Sequence, residues 1–474
     1  MLPPQPRTQA PICCVTKPHP IPADADARVC TIHTRRKAAL RMSTLSYQST
    51  THERPAGGPF FICALAVAVS VFPLIFMGGL VTSHGAGMSV PDWPNSYGYN
   101  MFLFPPAEWV GGIFFEHTHR LLGTLSGFLS IILVCLAWAP GANPLTRHRL
   151  AVFAVAMLTL LVAAVAARWV LARAQYVPPG LAGTISQLAV GFASLGLVAA
   201  AAWCCRVRQP RRWLRWLSVV QLLAIIVQGV LGGTRVTHVS VMLAMIHGCF
   251  AQLFFCLAAF TALAASRWWD RAAGPTARGG IDPSSATAAR RTAWLVAGVW
   301  CCVACQLVLG VLMRHNNAGL AIPDLPLAYG KLLPPTSPAG LDAINAGRAW
   351  QHELDPVSMA QVWMHYGHRV GAIVVSVAVL LLVFRIVRKH RCANAIAWPA
   401  YILLGLVATQ FTLGLLTVYY AKPAEIASSH VAVGALTLMT VALLGAAAAR
   451  VAQGAPVAVS TNEPLASNLE FAAT

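Results

Sequence analysis

The sequence carries few charged residues for its length. Only 10% of its 474 residues are Asp, Glu, Lys or Arg, whereas a soluble domain contains roughly 25%. Hydrophobic residues make up 57% of the chain, and apolar windows of about 20 residues recur along it, each long enough to cross a bilayer. The shortage of charge excludes an ordinary soluble domain and predicts an all-α polytopic protein embedded in a lipid bilayer.

About ten transmembrane helices are predicted from these windows. They lie at about 60–82, 115–138, 149–171, 182–205, 214–233, 242–265, 293–313, 362–384, 396–420 and 427–449. Spans three and four contain neither His nor Glu, so they are interpreted as a hairpin inserted at about 149–205.

Acidic residues are scarcer still, with 15 against 34 basic residues and a net charge of +19. The basic residues follow the even-numbered spans in short connections, such as those holding Arg211 and Arg291. This distribution is typical of cytoplasmic loops rather than of a nucleic-acid-binding face, so no nucleic-acid partner is expected. Both termini are then predicted to be cytoplasmic, and the long loops 83–114 and 314–361 are predicted to face outward.

Cysteine pairs are missing where a disulfide or zinc framework would need them. The 13 cysteines are scattered, a CxxC occurs only at Cys302–Cys305 inside the predicted span 293–313, and neither long outer loop contains a cysteine. No apolar segment follows Met1, so no signal peptide is predicted. The Pro- and Arg-rich leader 1–59 is predicted to be disordered, with Met42 as a candidate start, and the tail 452–474 is also predicted to be disordered.

The chain repeats itself, which divides it into two halves. "GGLVTSHGAGMSVPDWPNSYG" matches "GVLMRHNNAGLAIPDLPLAYG" without a gap, and the other matched pieces pair "EHTHR" with "HYGHR" and "QGVLGG" with "QFTLGL". We therefore predict two pseudo-symmetric four-helix bundles, at 60–265 and 293–451, joined by a cytoplasmic linker at 266–292. The inserted hairpin belongs to the first bundle.

Four histidines recur at matched positions near the outer ends of their spans: His119, His247, His368 and His430. A lone intramembrane histidine is usually a packing residue, but four in a repeat indicate a functional set, because ionisable groups are costly in hydrocarbon. Two imidazoles facing each other in each bundle suit axial ligation of haem iron. Zinc is less suited, since these spans supply no cysteine or second carboxylate.

Glu116 lies three residues before His119, on the same helical face, and its counterpart in the second half is His365. Either Glu116 has an acid/base role or it forms an ion pair with Arg120, four residues further on. Arg120 and Arg369 each follow a candidate ligand. They could bind haem propionates or extend to lipid headgroups.

Together, "EHTHR", "VPDWP", "QGVLGG", "HGCFAQLFF", "HYGHRVGA" and "SSHVAVGAL" resemble the haem A synthase family. The resemblance covers about 60–450 apart from the hairpin. It implies an integral membrane enzyme with eight core helices that oxidises the C8 methyl of haem O to the formyl group of haem A, for cytochrome oxidase. Many relatives carry a cysteine pair in the first outer loop, and this chain has none there.

The resemblance also implies roles for the candidate residues. Glu116 would be catalytic and would share the substrate haem site with His119 and His247, whereas His368 and His430 would hold a resident haem b. The implied partners are haem O, a haem O synthase and an unidentified electron donor, in a bacterial inner membrane, with a homo-oligomer as one option for assembly.

Two other functions are compatible with the same residues. One is a di-haem b electron-transfer protein without chemistry of its own, and the other is a haem carrier. The oxygen source of the implied reaction is also open, because an iron with two histidine ligands has no free position. Either one ligand leaves, or the iron only exchanges electrons and the oxygen comes from water.

Overall fold

The computed structural model describes residues 58–138, 211–272, 283–352, 354–389 and 394–453, together with 156, 196 and 209. This part of the chain contains ten α-helices. They are α1 (Pro59–Ser83), α2 (Gly112–Trp138), α3 (Arg212–Thr237), α4 (Val241–Ala265), α5 (Arg267–Arg271), α6 (Pro283–His315), α7 (Pro338–His352), α8 (Met359–Lys389), α9 (Asn394–Tyr419) and α10 (Ala424–Gln453). Short 3₁₀ turns lie in the loops, and the described residues form no β-strand.

Eight of these helices, all except α5 and α7, are long and apolar enough to cross a membrane. Within a bilayer every backbone N–H and C=O group must be hydrogen-bonded within the protein, and a helix bonds these groups within its own segment. The prediction of an all-α polytopic membrane protein is therefore confirmed. The predicted hairpin at 149–205, most of the leader 1–59 and the tail beyond 453 lie outside the described residues, so these remain predictions.

The eight long helices pack as two four-helix bundles. In the first bundle α1 contacts α2 and α4, and α3 contacts α2 and α4; in the second, α6, α8, α9 and α10 form the same closed ring. The bundles meet through α1 and α4 on one side and α6 and α10 on the other. Val71 of α1, Phe254 of α4 and Ala435 of α10 are buried in one apolar cluster, so the two bundles share a core.

The two bundles are in close contact at the end of the helices that carries the long loops, here called the loop end. A Cβ placed on Gly79 of α1 would lie only 2.9 Å from Cβ of Ser428 on α10. Arg314 of α6 donates from Nη2 to the carbonyl of Gly79 (2.5 Å) and to Oγ of Ser83 (2.7 Å). Small residues therefore bring these helices together, as is typical of membrane bundles, and Arg314 ties α6 to α1.

The two repeated loops have the same hydrogen-bonded turn. Asp92 accepts from the backbone N–H groups of Tyr97 and Gly98, each at 2.8 Å. Asp324 makes the same two contacts with the matching Tyr–Gly pair, at 2.8 and 2.9 Å. Tyr97 has a positive φ of 50°, and its hydroxyl donates to the carbonyl of Ser89. The matched sequences therefore form matched caps over the two bundles.

Helix α7 in the second loop was not predicted from the sequence. It begins where Oγ of Ser337 accepts from the N–H of Gly340 (3.2 Å), directly before Pro338, which is favoured at the first position of a helix. The buried Arg348 of α7 donates to the carbonyls of Leu320 and Ala321. The Ser–Pro pair was the available sequence signal, and α7 braces the second loop.

Candidate haem sites

The four predicted histidines form two pairs with the same geometry. The ring centroids of His119 and His247 are 6.4 Å apart and the ring planes are inclined by 76°. The corresponding values for His368 and His430 are 6.4 Å and 70°. Each ring is half-buried and lies about two to three turns from the loop end of its helix. The first pair bridges α2 and α4, and the second bridges α8 and α10.

The spacing of the two histidine pairs suits haem iron rather than zinc. A tetrahedral zinc site needs four ligands, and residues with described positions include no group of three or more His, Cys, Asp or Glu side chains that could hold a metal ion. Haem iron needs only axial ligands from the protein. A metal bonded at about 2 Å to one nitrogen of each ring would separate the ring centroids by roughly 6 Å, close to the 6.4 Å observed. Both pairs therefore fit haem iron.

Each histidine ring packs against a glycine of the preceding transmembrane helix. A Cβ added to that glycine would lie between 2.9 and 3.2 Å from Cε1 of the ring. The four contacts join Gly78 to His119, Gly232 to His247, Gly310 to His368, and Gly414 to His430. A side chain at these positions would push the ring aside, so the glycines fix where the imidazoles sit.

Three of these glycines follow a glutamine by four residues, and that glutamine contacts the same histidine. Gln228 donates to the carbonyl of His247 at 3.0 Å, and its Nε2 lies 3.4 Å from Nε2 of the ring. Gln306 contacts His368, with Nε2 to Nδ1 at 3.1 Å, and Gln410 contacts His430, with Nε2 to Nε2 at 3.2 Å. Such contacts orient ligating imidazoles.

The first half departs from this pattern at one position. Leu74 stands where a glutamine would be, four residues before Gly78, so among the described residues His119 has no glutamine contact like those of the other three histidines. Sequence analysis missed Gln306, although "QLVLG" at 306–310 is a third copy of the Gln-x-x-Leu-Gly motif. The two histidine pairs are thus alike in spacing but differ in the polar groups around them.

Glu116 is almost fully buried, with 1% of its surface exposed, and both of its carboxylate oxygens have partners. Oε1 pairs with Nη2 of Arg120 at 2.9 Å, and Oε2 accepts from the N–H of Val90 at 2.9 Å. Arg120 also donates to the carbonyls of Val90, Asp92 and Asn95. Glu116 and Arg120 together therefore fasten the first loop to α2.

The second half repeats this fastening with a different residue at the first position. His365 lies 3.2 Å from the N–H of Ile322 and 3.2 Å from Nε of Arg369. Arg369 donates to the carbonyls of Ile322, Asp324 and Leu327, which match the three carbonyls used by Arg120. Both guanidinium groups are thus engaged with loop backbone, and their binding of propionates stays a prediction.

His117, which the sequence did not assign to a role, also anchors the first loop. It is fully buried, and its Nδ1 lies 3.1 Å from Oγ of Ser96. The rings of Phe104 and Trp109 lie 5.1 and 4.6 Å from it. Most of the ionisable groups of "EHTHR" therefore serve to dock the loop, and His119 alone faces the partner histidine.

The second loop is fastened by a tyrosine outside the membrane-spanning helices. Tyr329 donates from its hydroxyl to the carbonyl of Ala321. Burial raises the pKa of Tyr329 above its ordinary value, so the hydroxyl keeps its proton and remains a donor. The contact matches that of Tyr97 in the first loop.

These features define a membrane-integral helical protein with one histidine pair in each of two similar bundles. Within that class, the chain belongs to the COX15-CtaA family, described as cytochrome oxidase assembly protein, which matches residues 186–442.

Curated relatives of this chain carry the name "Heme A synthase". The protein from Caulobacter sp. (strain K31) is 32% identical over 135 residues, covering 28% of this chain and 36% of the relative. The protein from Shewanella oneidensis is 29% identical over 136 residues, covering 28% and 40%. The protein from Oceanobacillus iheyensis is 25% identical over 126 residues, covering 27% and 35%. The chain thus spans two fifths or less of the relatives it matches.

Proposed function

We propose that this protein converts haem O to haem A by oxidising the C8 methyl group to a formyl group. The observation that carries this proposal is the pair of equal histidine sites, each with ring centroids 6.4 Å apart, in two bundles of one chain. With two such sites, one can hold a haem that is the substrate and the other can hold a haem that remains bound. The names of the relatives support the same function.

The two sites take different roles in this proposal. His119 and His247 hold the substrate haem, and His368 and His430 hold a resident haem b. Within the described part of the chain, the first site alone has a buried carboxylate one helical turn from a ligand candidate, and its Leu74 takes the place of the glutamine found beside the other three histidines. These differences support chemistry in the first half and stable binding in the second.

Oxidation of the methyl group to a formyl group consumes one water molecule and requires an external electron acceptor. The methyl group and water together release four protons and four electrons as the formyl group forms. Haem supplies the redox capability when bound. With water as the oxygen source, the redox partner outside this chain takes up the four electrons, so it is an electron acceptor rather than the donor that the resemblance implies. Glu116 is the proposed proton acceptor, and Arg120 and the N–H of Val90 hold its carboxylate in a fixed position.

The supply of substrate and the membrane location of the enzyme follow from the same proposal. Haem O reaches the first site from the bilayer, supplied by a haem O synthase. The relatives named above are bacterial, which supports a bacterial cytoplasmic membrane. The basic connections support cytoplasmic termini.

The test is pigment analysis of membranes from cells that make haem O but lack their own haem A. Expression of the parent chain should yield haem A. His119→Ala and His247→Ala should abolish haem A while the purified protein keeps a low-spin haem, whereas His368→Ala and His430→Ala should remove that haem. If the parent yields no haem A although both sites fill with haem, the enzymatic proposal is wrong.

The variant Glu116→Gln distinguishes a role of Glu116 in proton transfer from a role in docking the first loop, provided that turnover is expressed per bound haem. A group that transfers protons typically contributes about 10²–10⁴-fold, so haem A formation per bound haem should fall by that factor. An unchanged rate per bound haem would assign Glu116 to loop docking alone.

A second candidate function is a di-haem electron-transfer protein. It is favoured by one observation, namely that His365 faces the same two donors as Glu116, so the carboxylate could be purely structural. Such a protein would bind two haems in the assay above and form no haem A.

A further inference from the structure

Among the residues that the structure describes, the guanidinium group of Arg235 has no hydrogen-bond partner. Arg235 lies on α3 three residues after Gly232, so it is on the same helical face and about 4.5 Å nearer the loop end. Its Nε is buried and lacks a hydrogen bond, and within the described residues the guanidinium forms no hydrogen bond or ion pair. The other arginines at the loop end donate to backbone carbonyls: Arg120, Arg314, Arg348 and Arg369.

The guanidinium lies between the first loop and the first histidine pair. A Cβ placed on Gly87 in the loop would be 2.9 Å from Nη1 of Arg235, so the loop backbone covers the group. Arg235 is also close enough to His119, His247 and Glu116 to interact with them electrostatically. The group is therefore placed beside the proposed substrate site, on the side of the loop.

A partly buried cation without a bonded counter-ion is costly, and the nearby carboxylate is ion-paired with Arg120 and forms no such pair with Arg235. Both oxygens of Glu116 are engaged by Arg120 and Val90. A ligand that brings its own carboxylate would supply the missing anion, and a guanidinium group binds a carboxylate through two parallel hydrogen bonds.

We propose that Arg235 binds a propionate carboxylate of the haem held by His119 and His247, an inference that rests on the proposed function. The described residues of the second half include no arginine at the matching position, which is Thr417. There Lys422 lies over Gly319, which matches Gly87, with its Cδ 3.5 Å from the added Cβ, and this lysine is exposed to solvent. Arg235 thus distinguishes the substrate site from the resident site.

The test uses the purified full-length chain with its resident haem and measures binding of a second equivalent by absorbance. The probes are ferric protohaem and its dimethyl ester, which lacks the propionate charges. Esterification should weaken binding to the parent by roughly 10- to 100-fold, the effect of one charge-assisted hydrogen-bonded pair. Arg235→Gln should weaken protohaem binding by the same factor and should not weaken ester binding further. Lys422→Gln is the matched control and should change neither value.

A second variant, Gly87→Ala, retains the charge of Arg235 but changes the position of its guanidinium group. Gly87→Ala should displace the guanidinium and weaken protohaem binding several-fold, whereas Gly319→Ala, which makes only an ordinary contact, should have no effect.

Three results would overturn the inference and leave the proposed function intact. The first is unchanged protohaem binding by Arg235→Gln, and the second is an equal weakening of protohaem binding and ester binding by this variant. The third is an effect of Arg235→Gln only on binding to vesicles of anionic phospholipid, which would assign the residue to a lipid phosphate. If the parent binds no second equivalent of protohaem, the proposed function itself fails.

Discussion

Glu116 and His365 lie at the same position of the two halves and face the same two donors, a loop N–H and an arginine. A carboxylate accepts from both donors at once. A neutral imidazole accepts through only one of its two ring nitrogens, so His365 leaves one donor poorly satisfied. The second loop is fastened less well at this point and has α7 as an additional brace.

His365→Glu should therefore stabilise docking of the second loop. An added hydrogen bond to a charged group contributes about 1.5–3 kcal/mol, partly offset by burial of the new charge. We expect slower proteolysis in residues 316–358 and a higher Tm. Glu116→Gln should have the opposite effect on residues 84–111. The two donors face different oxygens of Glu116, so one of them would face the amide NH2, which cannot accept. Faster proteolysis in His365→Glu would contradict this account.

Gly232→Ala should lower haem affinity at the first site. The new methyl group would lie 2.9 Å from Cε1 of His247, and overpacking costs about 1–3 kcal/mol, or roughly 5- to 100-fold in affinity. Titration with protohaem measures the change. Gly229→Ala, on the same helix with nothing within 4 Å, is the control and should bind as the parent does. Equal affinities for the two variants would show that the glycine contact is unimportant.

Gln306→Leu should perturb the haem proposed for the second site, and Gln228→Leu should perturb only the first site. Each change removes contacts to one candidate ligand histidine, and loss of such partners of a metal ligand typically costs 10–100-fold in metal affinity or activity. Haem content and the reduction potential of the retained haem are the measurements. A shift of the resident haem's potential in Gln228→Leu of the same size as in Gln306→Leu would argue against separate sites.

Gly79→Ala should loosen the contact between the two bundles. The added Cβ would lie 2.9 Å from Cβ and 3.1 Å from Cα of Ser428, so backbone must move, at a cost of about 1–3 kcal/mol. Thermal unfolding of the purified protein should show a lower Tm. Gly127→Ala on α2 has open space around it and should unfold like the parent, and a shared Tm for the two variants would refute the close contact.

A reporter fused after Arg291 should be cytoplasmic, and one fused near Asp92 or Asp342 should be external. The basis is the position of basic residues in the connections. Because the two loops are matched copies over matched bundles, they must face the same side. Opposite locations for the Asp92 and Asp342 fusions would exclude the two-bundle topology.

The sequence by itself determined the membrane setting, the internal repeat and the four histidines. Apolar run length and repeated motifs are local properties, so they can be read without knowing which helices touch. The same locality explains why Glu116 and Arg120 were correctly seen as an ion-pair candidate, since they are four residues apart on one helix.

Tertiary structure decided the partners of these groups, because those partners are distant in the chain. Only packing of α3 on α4 places Gly232 against His247, and only folding of the first loop over α2 brings the carbonyls of Val90 and Asp92 to Arg120. The absence of a partner for Arg235 among the described residues is likewise invisible in sequence, because a missing contact is a property of the whole packed surroundings.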